Sequence, residues 1–163
     1  MVANAATALH VMQVRDNPTR ALVAEAVAEG RLNVLLDANP ALVSLGAMLL
    51  QGEPGDLRLR FEVKQSCTQG NGVVSGGTLA SMLDIAMAMA VLSVLPLGRT
   101  CATTSLSVNM IASAQAGAFL ARATVDRSGR SVAFARADLY HPDGQRLLAT
   151  ASSTLALFDE RPA

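Results

Sequence analysis

Hydrophobic and polar positions divide this chain into three kinds of pattern. Near the N-terminus, Leu22, Val23, Ala26 and Val27 fall on one face of TRALVAEAVAEG. Asn17 before Pro18 reads as an N-cap followed by proline at the first helical position, and Gly30 as a stop, so a helix is expected there. A second short helix is expected through RLNVLLDANP, making residues 1–40 a helical extension. From Ala41 the pattern becomes extended. ALVSLGAMLLQ is expected to be a first strand, and LRLRFEVKQ alternates strictly. Leu57, Leu59, Phe61 and Val63 lie on one side of it; Arg58, Arg60, Glu62 and Lys64 lie on the other. Such alternation marks a strand with one wet and one buried face.

The third pattern is apolar almost all round. Ala- and Met-rich residues from about Gly76 to Leu95, closed by Pro96 and Gly98, predict a helix buried on most sides. After it come TTSLSVNMIAS, AGAFLARATVDR, RSVAFARADLY and QRLLATASSTLAL, separated by Ser128-Gly129 and by HPDG. These turns predict antiparallel hairpins. The order is helices, two strands, one helix, then four strands. It lacks the βα alternation of a doubly wound fold and predicts an α+β domain over residues 41–163. In it an antiparallel sheet of about six strands wraps around one central helix.

Composition narrows the function. Among 163 residues 51% are hydrophobic, 16% are charged, and the formal net charge is zero. No basic stripe suits nucleic acid, and the sparse charge suggests surface covered by another subunit. The apolar run Leu79–Leu95 falls short of the roughly 20 residues of a membrane span. It also carries Asp84, a residue costing about 2.5–3.5 kcal/mol at the centre of a span. No membrane association is expected, and the N-terminus lacks the basic and apolar regions of a secretory signal, so the expected location is cytoplasmic. Cys67 and Cys101 match no metal-ligand spacing and are expected to be reduced, buried thiols; no metal site is expected. GNGVVSGG is neither GxGxxG nor a P-loop, and no GxSxG elbow occurs.

The chemistry that remains centres on Asp84, the only charged residue between Lys64 and Arg99. A desolvated carboxylate is costly unless paired, and carboxylates enclosed in apolar clefts become general bases near neutral pH. Gly76 and Gly77 open the same helix and offer backbone N–H groups that a carbonyl oxygen can approach without obstruction. A base or nucleophile with an oxyanion pocket makes an acyl-transfer site. Gly76 and Asp84 are eight positions apart. At ~1.5 Å per residue that is about 12 Å of helix, too far for one carbonyl to touch both. A site using both needs the glycine of one subunit and the aspartate of another.

The series SGG, LASMLDIAMAMA, TTSLSVNMIASAQAG, VDRSGRSVAFARADLY and LLATASSTLAL resembles the hotdog-fold acyl-CoA thioesterases of the phenylacetate, PaaI-like type, from about Ala41 to Leu157. The resemblance implies that Asp84 acts as base or nucleophile and that the Gly76 N–H polarises the thioester carbonyl. It implies that Thr103, with Thr104 beside it, positions water. It gives Gln69 the place of an Asn that holds substrate, and Ser75 the place of a motif histidine. For the coenzyme A end, Arg130 in the Gly129 hairpin turn is the candidate phosphate contact, with Ala80, Met87 and Val91 lining the acyl pocket. The implied protein is a homodimer, or a dimer of dimers, acting on acyl-CoA. No cofactor is implied, coenzyme A being part of the substrate. Serine in place of histidine keeps a second reading open, a hotdog protein that binds acyl-CoA or another hydrophobic ligand without turning it over.

Overall fold

The computed structural model describes residues 16–160, and residues 1–15 of the expected helical extension lie outside the described residues. The order of elements is α1 (Pro18–Ala28), β1 (Val34–Leu35), α2 (Pro40–Ser44), β2 (Met48–Glu53), β3 (Asp56–Val63), α3 (Gly76–Leu92), β4 (Arg99–Met110), β5 (Gly117–Ser128), β6 (Val132–Tyr140) and β7 (Leu147–Asp159). All seven strands form one antiparallel sheet in the order β1-β2-β3-β5-β6-β7-β4. The expected architecture is present: the sheet curls around α3, which packs against β3 through β7.

The packing follows from side-chain size. On β3 the alternation holds, with Leu57, Leu59, Phe61 and Val63 buried. Under α3 the inward positions of the central strands are mostly alanine: Ala121, Ala123, Ala133, Ala135, Ala137 and Ala151 are all buried. Small residues on the sheet let a thick helix sit close, and α3 fills the space with Met82, Leu83 and Met87, each fully enclosed. At the N-terminal side, Asn17 caps α1 by accepting from the Thr19 and Arg20 N–H groups, with Pro18 following as expected.

Two expectations for the stretch between α1 and β2 fail. RLNVLLDANP is not a helix. It is extended, with Asn33 at φ +56°, and pairs with the next strand through Asn33 N–H to Leu50 O and Leu36 N–H to Ala47 O. Nor does a strand begin at Ala41. Asn39 and Pro40 repeat the cap-then-proline signature of Asn17-Pro18, and the Asn39 Oδ1 accepts from the Leu42 N–H at 3.1 Å. That cap starts the single turn of α2, so the strand begins only at Met48. The cysteines are free thiols, each half-buried rather than buried.

β4 ends the sheet, paired on one side with β7 and open on the other. Its face toward α3 carries Leu106 at 37% and Met110 at 48% exposure, with Ile111 at 54% just beyond. A 12-residue edge strand with exposed apolar side chains is a template for another chain unless something covers it.

Candidate active site

Ser75 sets the helix start that the site depends on. Its backbone is extended (φ −65°, ψ 147°), and its Oγ accepts from the Thr78 N–H at 3.3 Å and lies 2.9 Å from the Thr78 Oγ1. At the position of the motif histidine, this serine is therefore an N-cap. Ser75→Ala is expected to lower stability by about 1 kcal/mol, read as a shift in the urea midpoint at constant m.

Gly76 and Gly77 follow as the first residues of α3, and both are exposed. Nothing inside the subunit requires either to be glycine. A methyl group added at Gly76 would meet only the Met110 Cε at 3.6 Å, an ordinary contact, and one at Gly77 would meet nothing within 4 Å. Neither has positive φ. Their bare backbone is thus open toward whatever approaches this helix tip from outside the subunit.

Asp84 sits two turns further along α3 and is half-exposed. Its Oδ1 accepts a 2.7 Å hydrogen bond from the Thr103 hydroxyl on β4. The carboxylate is therefore tied to the strand, with its second oxygen still open. A bulge in the β4–β7 pairing between Thr103 and Ser105 falls beside this contact. Bulges re-aim side chains, and this one separates the two threonines. Thr103 turns to Asp84, while the Thr104 hydroxyl donates to the Thr154 carbonyl at 3.0 Å.

Cys101, expected only as a buried thiol, is a neighbour of Asp84. Burial, with the Asp84 charge adding to it, pushes this thiol up to about 12, so it stays protonated beside the carboxylate near neutral pH. Strand alternation puts positions 101 and 103 on one face, which is the signal that links Cys101 to Thr103. A cleft of about 310 Å³ opens next to Asp84, with Ala41 and Ser44 of α2 and its C-cap Leu45 on one side and Thr78, Ser81 and Ile85 of α3 on the other. None of these was a sequence candidate. The expected lining residues Met87 and Val91 are instead fully enclosed in the core.

The remaining candidates lie around this centre. Gln69 is exposed in a loop tied by its own N–H to the Val73 carbonyl at 2.8 Å. Arg130 is exposed in the β5–β6 turn, and its carbonyl accepts from the Arg99 guanidinium at 2.7 Å. The next residue, Ser131, accepts from the Leu157 N–H, and Leu157 is the register partner of Cys101. The Arg130 turn is thus about two strand spacings, or about 10 Å, from the strand that holds the Asp84 partner. Among the described residues no group of three His, Cys, Asp or Glu is placed to hold a metal, and no helix is long and apolar enough to cross a membrane.

Known proteins resemble this chain in sequence and in fold. Residues 71–148 match the family model described as Thioesterase superfamily. A curated protein of Halobacterium salinarum, named "Putative esterase", is 32% identical over 112 residues, covering 66% of this chain and 74% of that protein. Among solved structures, a phenylacetic acid degradation-related protein of Ralstonia eutropha JMP134 is 29% identical. It superposes with a TM-score of 0.70, over 82% of this chain and 98% of the other. A "Hypothetical Thioesterase Protein" of Streptococcus pneumoniae TIGR4, solved with coenzyme A, is 18% identical and shares the fold with a TM-score of 0.65 over 74% and 93% of the two chains. The matched segment of the family model takes in the capped glycine pair, the Asp84 helix and the strand that carries Thr103. With this sheet wrapped around that helix, the chain belongs to the thioesterase superfamily and is a hotdog-fold, PaaI-like member of it.

Proposed function

We propose that the protein hydrolyses an acyl-coenzyme A thioester to the free acid and coenzyme A, at a site shared by two copies of the chain. The observation that carries this reading is a strand-anchored carboxylate, Asp84 on Thr103, on the same helix whose exposed tip is the side-chain-free Gly76. Family membership supports ester or thioester hydrolysis in general. The coenzyme A bound to the Streptococcus pneumoniae neighbour supports coenzyme A as the thiol.

In the proposed reaction Asp84 takes a proton from water, and the oxygen adds to the thioester carbon. The Gly76 N–H, at the positive end of α3, holds the resulting oxyanion. Collapse breaks the carbon–sulfur bond, and the proton on Asp84 neutralises the departing thiolate. In the covalent variant, Asp84 attacks first and water then opens the anhydride. Single-turnover hydrolysis in oxygen-18 water tests this, because label enters Asp84 only by the covalent route, when water attacks the aspartyl carboxyl carbon of the anhydride. Thr103 orients the carboxylate. Ser75 and Gly77 shape the approach to the helix tip, and Gln69 and Thr104 remain candidate substrate contacts. Arg130 would meet coenzyme A phosphates, a guanidinium being suited to them.

The second copy enters through distance and through β4. The separation of Gly76 and Asp84 along one helix excludes a single carbonyl touching both. Met110 lies against Gly76, and Thr103 holds Asp84. Antiparallel pairing of two β4 edges about an axis between Leu106 and Ser107 would set Thr103 opposite Met110 of the second copy. Such a dimer brings Asp84 toward the twin's Gly76 and covers the exposed apolar side chains. A dimer of such dimers is the larger assembly proposed, in the cytoplasm. Leu106→Arg is expected to give a folded monomer by sedimentation, with thioesterase activity reduced at least about a hundredfold, as expected for loss of an oxyanion donor. A fully active monomer would contradict the shared site.

The test of the function is thiol release across short, long, branched and aryl acyl-CoA thioesters. Turnover of one or more is expected. Binding without thiol release over the whole panel would favour the non-catalytic reading that Ser75 in place of histidine suggests.

A further inference from the structure

We infer that the acyl group lies in the cleft between α2 and α3, and that this cleft selects a short, uncharged acyl chain. The inference rests on the proposal that Asp84 faces the thioester carbon. Asp84 is itself part of the cleft wall, so an acyl chain attached to a carbon within its reach has this space directly beside it.

Three properties of the wall define the ligand. The first is size. About 310 Å³ is at the lower end of the ~300–1,000 Å³ typical of small-molecule sites, room for a short acyl group, whereas a long fatty chain would have to run out of the cleft into solvent. The second is charge. Asp84 is the only charged residue lining the cleft. A second carboxylate, as in a succinyl group, would be desolvated beside a like charge with no cation from this wall to pair it. The third is the state of the hydroxyls. Ser44 Oγ donates to the Ala41 carbonyl and Ser81 Oγ to the Gly77 carbonyl, both at 2.9 Å, and Thr78 Oγ1 is engaged with Ser75 Oγ. With these donors committed, the wall offers Ala41, Leu45 and Ile85 for apolar contact and, apart from Asp84 at the reacting carbon, no polar group that demands a partner on the acyl chain.

α2 sets the far wall, and its cleft-facing Ala41 and Ser44 are exposed in the subunit, so enlarging them fills the cleft and not the core. Ser44→Phe is expected to lower the ratio of kcat/KM for hexanoyl-CoA to that for acetyl-CoA by at least about tenfold, the scale set by adding or removing a methylene in an apolar pocket. The unsubstituted protein is expected to favour butyryl-CoA over succinyl-CoA by a similar factor. An unchanged hexanoyl-to-acetyl ratio in folded Ser44→Phe overturns the assignment, and so does succinyl-CoA turned over as well as butyryl-CoA. Ala41→Leu, one turn away on the same wall, provides the same readout if Ser44→Phe does not fold. Absence of turnover with every thioester would count against hydrolysis and not against the cleft. The same ratios are then read as Kd by calorimetry with the same CoA thioesters, and the same two outcomes support or overturn it.

Discussion

Asp84→Ala is expected to lower kcat by about 10²–10⁴-fold, the range for loss of a positioned general base, with KM and the fold little changed. The fold tolerates it because Asp84 is half-exposed and its one described side-chain hydrogen bond is to Thr103. Circular dichroism and the urea midpoint check this, a net loss of about 1 kcal/mol or less being expected for one such bond. The variant has a second readout that does not depend on catalysis. Asp84 contributes to the elevation of the Cys101 thiol, so its removal should let that thiol titrate below about 12, measurable as faster alkylation at alkaline pH. Full activity in Asp84→Ala would move the chemistry elsewhere.

Gly76 allows a sharper experiment, because proline and alanine divide its two properties. Proline deletes the N–H but is welcome at the first position of a helix, and Gly76 holds that position in α3. It also requires an extended residue before it, which Ser75 already is at φ −65° and ψ 147°. Gly76→Pro should therefore fold and lose about 10²–10³-fold in kcat, the cost of one oxyanion donor. Gly76→Ala keeps the N–H, and its methyl meets only Met110 at ordinary contact distance. It should retain most of its activity unless the substrate needs the space that the methyl takes. Equal losses in the two variants would mean that Gly76 serves clearance and not hydrogen bonding.

The parts of this protein that were legible in the sequence are those governed by local rules. Strict alternation gave β3, apolar residues all round gave α3, and Asn17-Pro18 marked α1. The same cap-and-proline signal stood at Asn39-Pro40, but the apolar run ALVSLGAMLL carries no period that separates one helical turn from a strand, and α2 was missed. With it went the outer wall of the cleft beside Asp84. Asp84 itself was conspicuous as a lone charge. The resemblance implies Thr103 only as a residue that positions water; its bond to Asp84 is not legible in the sequence, because the contact spans a helix and the edge strand and no periodicity encodes it. The bulge that parts Thr103 from Thr104 is a property of register with β7, invisible in β4 alone. The residue type of Cys101 encodes only a reduced thiol, and its place beside Asp84 follows from the strand face it shares with Thr103.

The most direct measurement mixes Asp84→Asn with Gly76→Pro, each inactive alone, under conditions in which subunits exchange. If the carboxylate of one copy works with the helix tip of the other, every mixed dimer holds one intact site. Random assortment should then restore about a quarter of the unsubstituted activity. If both groups act within one subunit, no mixed dimer contains an intact site, and a mixture as inactive as its components would contradict the account.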